Sequence, residues 1–355
     1  MENKFWSSNS SEWTEVAPEE QGLNSSKITE MFEFIEKNLH DVHSVIITRN
    51  GYLLTEEYLS NSQLLDTKSY PGGIKIHNQW SATKSLISIL IGIALQEGFL
   101  DKLNQTLYEF FADIWDSNFT DSEIKKNVTI EQLLTMNAGF VAGKEAPKTK
   151  DSFDLIKWAL AEVPIGFTPG EEGKFEYSND GVNLLSGIIT KVTGKSAEEF
   201  AKEYLFEPVG ISEDEYSWWH DDKGISAGGY GLSCTPKVQA KLGILCLNNG
   251  TWDGIQIIDK DYIKDATTVK ISISKGGISM DYGYLFYIMN SPFEGYYAAG
   301  AAGQCIYVIP ESNITVGITG AIGDKWFYEK MISDYILQFA QDDLTSNGNS
   351  NRVLG

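Results

Sequence analysis

Strand patterns lie at both ends of this chain, and helical patterns fill the part between them. The strand patterns are Ser44–Tyr58, Tyr284–Met289, Gln304–Ile309 and Ile314–Thr319. From Asp101 to Glu207 the apolar spacing is mostly helical, and a helix is also predicted over Lys325–Gln341. Strands from the two ends can share one sheet if the helical part is an insertion. We therefore predict an α+β fold with a discontinuous sheet domain (1–80 and 225–341), a mostly helical subdomain (81–224) and a disordered tail (342–355).

Ser81 and Lys84 stand at the head of the most apolar segment of the chain, Leu86–Leu95. Residues three apart share one face of a helix, so the amine of Lys84 can reach the hydroxyl of Ser81. The apolar segment is hydrophobic on every face, which predicts a central, buried helix. Burial lowers the pKa of a lysine, and a neutral lysine can take the proton of a serine. The alternative is that Ser81 only caps the helix.

The same Ser-x-x-Lys spacing occurs at two other places, which we interpret as chance. Ser122–Lys125 lies in a charged stretch, and Ser272–Lys275 runs into a pair of glycines that predicts a turn. Neither is followed by a buried helix that could change the pKa of its lysine. Ser81 is therefore the candidate nucleophile.

Tyr177 and Asn179 precede a helix predicted from Gly181, and residues 298–304 form a run of alanines and glycines before a strand. A phenol beside a lysine could pass protons, and an amide could contact a substrate carbonyl. Small residues let the backbone approach a ligand, and N–H groups at a strand edge can stabilise an oxyanion. The alternatives are an ordinary turn at Tyr177 and a hairpin at 298–304.

The order Ser-x-x-Lys, Tyr-x-Asn and glycine-containing strand resembles that of the serine hydrolases of the class C β-lactamase and penicillin-binding-protein superfamily. The resemblance runs from about Val45 to Thr319. Three further segments look like this superfamily: Ile130–Gly139, Gly229–Ser233 and Tyr307–Glu311. It implies an antiparallel sheet flanked by helices, with the active site at the junction with the helical subdomain.

The resemblance also implies a role for each matching residue. Ser81 would be the acylated nucleophile and Lys84 its general base. Tyr177 would assist proton transfer to the leaving group and to the deacylating water. Which of the two, Lys84 or Tyr177, is the base in each half-reaction is left open.

Substrate contacts follow from the same resemblance. Asn179 would contact the substrate carbonyl, and the backbone N–H groups of Ser81 and of Ala301, which follows Gly300, would form the oxyanion hole. In β-lactamases and D,D-peptidases the third motif is Lys-Thr-Gly, but here Ala298 stands in the place of the cation. This departure favours hydrolysis of an ester or small amide, as in related esterases and 6-aminohexanoate-oligomer hydrolases. The alternatives are a β-lactamase or D-Ala-D-Ala carboxypeptidase, and an acylatable sensor without turnover.

Three further segments of the sequence also admit a functional interpretation. Gly224–Gly228 matches G-x-S-x-G, but a polar stretch precedes it where the α/β-hydrolase elbow needs a strand, so Ser226 is predicted in a loop. For His77 and Trp80 we favour a surface histidine and a packing tryptophan over substrate contacts. Trp218–His220 could equally line the mouth of a cleft or pack in the core.

The composition limits the classes of binding partner that we expect for this chain. With 28 Lys and Arg against 49 Asp and Glu, the net charge is −21, which argues against nucleic acid or an anionic membrane. Four histidines and three cysteines show no metal-ligand spacing, so we expect neither a metal nor a cofactor. No signal peptide or spanning segment is apparent, so we expect a cytoplasmic protein; export of a longer precursor is the alternative. The expected partner is a small ester, amide or β-lactam-like molecule.

Overall fold

The computed structural model describes residues 13–38, 42–59, 76–143, 153–275, 278–321 and 325–337. The predicted tail, 342–355, lies outside the described residues. The helices are α1 (Ser25–Asn38), α2 (Thr83–Gln96), α3 (Leu107–Phe111), α4 (Ser122–Lys125), α5 (Ile130–Leu134), α6 (Leu155–Ala161), α7 (Asn179–Thr193), α8 (Ala197–Ala201), α9 (Pro236–Leu247), α10 (Lys260–Ala266) and α11 (Lys325–Met331). The strands are β1 (Val42–Arg49), β2 (Tyr52–Tyr58), β3 (His77–Asn78), β4 (Tyr216–Trp218), β5 (Leu232–Cys234), β6 (Thr251–Trp252), β7 (Ile255–Gln256), β8 (Ile271–Lys275), β9 (Ile278–Tyr282), β10 (Tyr287–Met289), β11 (Gly295–Gly300), β12 (Gln304–Ile309) and β13 (Ile314–Gly320).

The main sheet combines strands from both ends of the chain, as the sequence predicted. Its eight strands follow the order β2-β1-β13-β12-β11-β10-β9-β8, and every neighbouring pair is antiparallel. The N-terminal strand β1 pairs with the C-terminal strand β13, with Ile47 opposite Val316. Thr48 and Thr315 add a buried hydrogen bond of 2.6 Å between their hydroxyls across this pair. The α+β prediction is confirmed.

Helices cover both faces of this sheet. Val45 and Ile47 belong to a hydrophobic cluster that also holds Met31 of α1 and Met331 of α11. Ile46, between them in β1, points to the opposite face and packs with Ala240 of α9. Because successive residues of a strand face opposite sides, β1 is buried on both faces, from Val42 to Thr48.

Helix α2 is buried from Thr83 to Ala94, which confirms the prediction of a central helix. Its apolar side chains belong to one cluster that includes residues of α7, α9 and α10. A Cβ at Gly92 would lie 2.5 Å from the ring of Tyr262, so the glycine permits the close packing of α2 against α10. The helix that follows Ser81 is therefore held on several sides by packed side chains.

One predicted strand is shorter than expected. The pattern Tyr284–Met289 predicted a strand over its whole length, but only Tyr287–Met289 pairs as β10. Leu285 has a left-handed backbone, with φ 60°. The N–H groups of Tyr284 and Leu285 donate to the carbonyls of Ala266 and Leu134 instead of to a strand. Tertiary hydrogen bonds thus override the local strand preference.

The predicted closing helix, Lys325–Gln341, is described only as far as residue 337. Within that part, α11 is followed by a π-helical segment, Ile332–Ile336.

In the described residues, no helix is both long and apolar enough to cross a membrane. The division into domains 1–80 with 225–341 and 81–224 stays a prediction.

Candidate active site

Ser81 lies in a short 3₁₀ turn, Trp80–Ala82, immediately before α2. Trp80 has a left-handed backbone with φ 47°, and its N–H donates to Asn78 Oδ1 at 2.8 Å. The N-cap residue of α2 is Ala82, without a side-chain capping bond, so the interpretation of Ser81 as a plain cap is wrong. Ser81 is half-buried at the head of the helix.

The amine of Lys84 lies at the centre of the site. Its Nζ is 3.1 Å from Ser81 Oγ, 2.6 Å from Asn179 Oδ1 and 2.6 Å from the carbonyl oxygen of Gly229. Both 2.6 Å partners are carbonyl oxygens, which can only accept. A neutral amine has two N–H bonds and one lone pair, so once the two oxygens are satisfied the lone pair faces Ser81.

Burial puts Lys84 in the protonation state that this geometry needs. Its side chain is 1% exposed, and desolvation lowers its pKa from 10.5 to about 7. Near neutral pH a large share of the molecules therefore carries a neutral amine beside the serine hydroxyl. This is the arrangement required for a lysine to act as a general base.

Tyr177 and Asn179 reach the same point from the start of α7. Ser178 caps this helix, and its Oγ accepts from the N–H of Gly181 at 3.3 Å. The cap places Tyr177 so that the Lys84 Nζ lies 4.7 Å from the centre of its ring. Burial raises the pKa of Tyr177, whereas hydrogen bonds with the hydroxyls of Ser81 and Tyr287 lower it. The phenol is therefore in contact with the serine and stays protonated near neutral pH.

The carbonyl of Gly229 belongs to the site, although the sequence assigned it no chemical role. Asn183 Oδ1 accepts from the N–H of Gly229 at 3.0 Å and so orients this peptide toward Lys84. A Cβ at Gly229 would lie 2.8 Å from the Cβ of Asn179, and one at Gly228 would lie 2.4 Å from the carbonyl oxygen of Val182. In the sequence, the glycines at 228, 229 and 231 could have indicated this role, because glycines allow the backbone to approach other groups closely.

Gly300, at the end of β11, packs against the turn that holds Ser81. A Cβ here would lie 2.1 Å from the carbonyl oxygen of Gln79 and 3.2 Å from the Cβ of Trp80. The next residue, Ala301, begins a short 3₁₀ turn. The predicted oxyanion-hole residues are thus close in space, and their role stays a prediction.

Ala298, the residue at the place of the family's cation, is 3% exposed. It lines an apolar cavity together with Ala82, Phe286 and Leu232. Position 298 therefore supplies no positive charge to hold a substrate carboxylate.

The residues of the other motifs form hydrogen bonds with groups outside this arrangement. Ser122 accepts a hydrogen bond from Trp115 Nε1, and the buried Lys125 donates to the carbonyls of Ala159 and Leu160. Ser272 lies in strand β8 and bonds to Asp281. Ser226 is fully buried and accepts from the N–H of Glu198, with no strand leading into it.

Four aromatic residues near the site differ in burial, partly against expectation. His77 is buried in β3 and Trp80 is 45% exposed, so the prediction of a surface histidine and a packing tryptophan was wrong on both. Trp218 is in the core and donates to the carbonyl of Ala227 at 2.9 Å. Trp219 is 46% exposed. Trp218 is the last residue of β4 and Trp219 follows it directly, so their side chains point to opposite sides.

No group of metal-ligating side chains occurs among the residues that the structure describes. Cys234, Cys246 and Cys305 are free and buried. Burial raises the pKa of the Cys246 thiol to about 12, which makes it a poor ligand or nucleophile.

An antiparallel sheet covered by helices, with a serine three residues before a buried lysine, defines the class of serine hydrolases that carry a Ser-x-x-Lys motif. The profile of the Beta-lactamase family matches residues 44–322, so the chain belongs to this family. It is a serine hydrolase of the superfamily that also contains the penicillin-binding proteins. The resemblance stated from the sequence is confirmed.

The proteins that are similar to this chain include a hydrolase, a penicillin-binding protein homologue and a carboxylesterase. The 6-aminohexanoate-dimer hydrolase of Paenarthrobacter ureafaciens is 22% identical over 53% of this chain and 50% of its own length. The chain thus spans about half of that relative. A penicillin-binding protein homologue from Caulobacter crescentus has a TM-score of 0.67 and 17% identity, covering 92% of this chain and 99% of that one. A family VIII carboxylesterase also has a TM-score of 0.67 and 17% identity, with 88% and 96% covered. At these identities the structures show the fold alone.

Proposed function

We propose that this protein hydrolyses small, uncharged esters or amides through an acyl-Ser81 intermediate. The observation that carries the proposal is the hydrogen bonding of Lys84. Two carbonyl oxygens at 2.6 Å take its N–H bonds, and Ser81 Oγ at 3.1 Å faces its lone pair. A buried amine of this kind can accept the serine proton as the oxygen attacks a carbonyl carbon.

The remaining roles follow the geometry around Lys84. Tyr177, in contact with Ser81, gives a proton to the departing oxygen or nitrogen of the substrate. Asn179 contacts the substrate carbonyl as well as Lys84. The backbone N–H groups of Ser81 and Ala301 stabilise the oxyanion of the tetrahedral intermediate. Water then attacks the acyl-serine, and the same groups act in the reverse direction.

The choice of an uncharged substrate rests on Ala298. A penicillin or a peptide ending in D-alanine carries a carboxylate, and burying such an anion without a partner is costly. Position 298 is buried beside apolar side chains and provides no such partner. The names of the relatives, a 6-aminohexanoate-dimer hydrolase and a family VIII carboxylesterase, support an ester or an amide as the bond that is hydrolysed.

Intact mass spectrometry tests the proposal directly. The native chain and Ser81→Ala are each incubated with p-nitrophenyl butyrate, a fluorophosphonate and a penicillin. We expect a fluorophosphonate adduct on the native chain only, turnover of the ester and little turnover of the penicillin. Ser85→Ala is a matched control, because Ser85 lies one turn further along α2 and donates to the carbonyl of Leu285 instead.

Three other outcomes would change the conclusion. A long-lived penicillin adduct without turnover would favour a penicillin-binding or sensor protein. Efficient penicillin hydrolysis would mean that the carboxylate is bound by a group other than residue 298. Full esterase activity in Ser81→Ala would refute the assignment of the nucleophile.

A further inference from the structure

Three glutamine side chains are buried around the two turns that carry Ser81 and Ala301. None of Gln79, Gln239 and Gln304 is more than 2% exposed. An amide is costly to bury unless its polar atoms find hydrogen-bond partners, and an apolar side chain would fill the same space without that cost. The partners of these amides therefore indicate which parts of the fold the glutamines hold together.

Gln79 connects the turn of Ser81 to the main sheet through Gln239. The carbonyl of Gln79 accepts from the N–H of Ala82 at 3.0 Å, which closes the turn around Ser81. The side-chain Oε1 of Gln79 accepts from Gln239 Nε2 at 2.7 Å. The same Nε2 donates to the carbonyl of Ile318, on β13, at 3.3 Å. The turn of the nucleophile is therefore fastened to β13 by two amides in series.

Gln304 connects the second turn to the same strand. Its Nε2 donates to the carbonyl of Gly320, at the end of β13, at 2.6 Å, and its Oε1 accepts from the N–H of Gly320 at 3.4 Å. The same Nε2 also donates to the carbonyls of Ala302 at 3.3 Å and Ala301 at 3.5 Å. The turn that begins at Ala301 is thus fastened two residues further along β13 than the serine turn.

Each of these turns contains a residue with a left-handed backbone. Trp80, directly before Ser81, has φ 47°, and Ala302, directly after Ala301, has φ 59°. This conformation is unfavourable for a residue with a side chain, and it persists only where surrounding contacts hold it. Hydrogen bonds that fasten the two turns to a common strand are contacts of this kind.

Strand β13 is a rigid base for both turns. It is buried along its whole length and is paired on both sides, with β1 and with β12. A strand held in this way keeps the carbonyls of Ile318 and Gly320 at a fixed separation. Groups that are hydrogen-bonded to these two carbonyls therefore keep a fixed separation as well.

We propose that Gln239 and Gln304 are positioning residues, which set the distance between the N–H groups of Ser81 and Ala301 by holding both turns on β13. The oxyanion must lie between these two donors, so their separation decides whether both can bond to one oxygen atom. This inference rests on the proposed function, in which the two N–H groups stabilise the oxyanion.

Replacing the carbonyl oxygen of the substrate by sulfur tests the oxyanion hole itself. Sulfur is a weak hydrogen-bond acceptor, so a thionoester gains little from the two N–H groups. Gln239→Met and Gln304→Met each replace an amide by an apolar side chain of similar length. The native chain and both variants are assayed on p-nitrophenyl butyrate and on the thionoester in which sulfur replaces its carbonyl oxygen.

We expect the two substrates to respond differently to the loss of either amide. In both variants kcat for the oxygen ester should fall about tenfold or more, because a displaced donor no longer stabilises the transition state. For the thionoester kcat should fall by no more than about threefold, and KM should change little for either substrate. The ratio of the two rates, which a general loss of stability would not move, should therefore decrease.

The pH dependence of Ser81 labelling by a fluorophosphonate separates a displaced oxyanion hole from a disturbed base. The midpoint of that profile reports Lys84, whose amine is bonded to Asn179 and Gly229 rather than to a glutamine. We expect slower labelling with an unchanged midpoint in both variants. The variants act on opposite turns, so either one tests the proposal if the other does not fold.

Thr315→Val is the matched control for the loss of a buried hydrogen bond on β13. Its hydroxyl is 2.6 Å from that of Thr48, on the part of the strand that precedes Ile318. This variant should lose stability in urea, as the glutamine variants should. It should nevertheless keep the native ratio of ester to thionoester hydrolysis.

Three outcomes would overturn the inference while leaving Ser81 as the nucleophile. The first is a native ratio of the two esters in the glutamine variants, and the second is an equal loss on both esters. The third is a midpoint of labelling that moves by about one pH unit or more, since the glutamines would then act through Lys84. Full esterase activity in Ser81→Ala would instead overturn the proposed function itself, so the two failures are distinguishable.

Discussion

The replacement Asn179→Asp changes one atom next to the amine on which the proposed mechanism depends. Asn179 Oδ1 is 2.6 Å from Lys84 Nζ, and aspartate keeps the shape of asparagine. A carboxylate there stabilises the ammonium form and raises the pKa of Lys84, by about 1–3 units for an opposite charge at such short range. A rise of about two units corresponds to ~2.7 kcal/mol.

The consequence for activity can be worked out from the native pKa. Burial holds the pKa of Lys84 at about 7, so about half of the amines are neutral at pH 7. If the pKa becomes about 9, the neutral fraction at pH 7 falls to about 1%. The reaction rate should fall in proportion at pH 7 and recover as the pH rises, because only the neutral amine can take the serine proton.

The assay is the rate of Ser81 labelling by a fluorophosphonate, followed by intact mass between pH 5 and 10. Labelling reports attack by the Ser81 oxygen on phosphorus, with loss of fluoride and without turnover, and its pH midpoint is independent of any loss of substrate contact at Asn179. The native midpoint should lie near pH 7 and that of Asn179→Asp should lie one to three units higher. Asn24→Asp, at an exposed position before α1, adds the same charge as a control.

A midpoint that stays near pH 7 in Asn179→Asp would refute the reasoning that Lys84 is the titrating base. So would a native profile with no change between pH 6 and 8. A uniform loss at every pH, without a shift, would mean that Asn179 matters only for binding.

The remaining predictions concern packing and stability around the same site. Gly300→Ala should lower kcat at least tenfold, because its Cβ would lie 2.1 Å from the carbonyl oxygen of Gln79 and displace β11 from the serine turn; unchanged esterase kinetics would contradict this. Asn183→Leu should lower the free energy of unfolding by about 1–3 kcal/mol in urea and reduce kcat, since the N–H of Gly229 loses its acceptor. At pH 6 the free energy of unfolding of Lys84→Met in urea should be ~2 kcal/mol higher than that of the native chain, because the native chain must bury an ammonium group when it folds. The pKa of Lys84 is lower in the folded than in the unfolded chain, so the difference in unfolding free energy should shrink as the pH rises from about 7 toward 10.5. A difference that does not change with pH would contradict this prediction.

Features with a local cause were predictable from the sequence. Thr129 with Gln132 three residues later is the pattern of a capping box, and Thr129 Oγ1 accepts from the N–H of Gln132 at 3.3 Å. The apolar segment after Ser81 predicted a central helix, and α2 is buried from Thr83 to Ala94. Such features depend on residues a few positions apart, which the sequence displays directly.

The sequence also favoured Ser81 among the three Ser-x-x-Lys motifs, because the segment after Ser81 is far more hydrophobic than those after the other two. The structure buries Lys125 of another motif as well, which the sequence did not predict. The hydrogen-bond partners of Lys84 were not predictable from the sequence. The partners of Lys84 come from Asn179 and Gly229, 95 and 145 residues further along the chain. Only the packing of α7 and the glycine segment against α2 brings these oxygens to the amine.

The tertiary structure likewise decided which aromatic residues matter. Nothing local distinguishes Tyr287 among 17 tyrosines, and its ring stacks on that of Tyr297 because the sheet register pairs β10 with β11. His77 is buried and Trp80 exposed for the same reason, since pairing with β5 and the left-handed turn before Ser81 set their directions. The sequence by itself indicated the candidate nucleophile Ser81, the candidate base Lys84 and the order of elements, because these depend on short spacing and hydrophobicity. The fold alone decided the burial that lowers the pKa of Lys84 and the oxygens that bond to its amine, because those contacts join residues far apart in the chain.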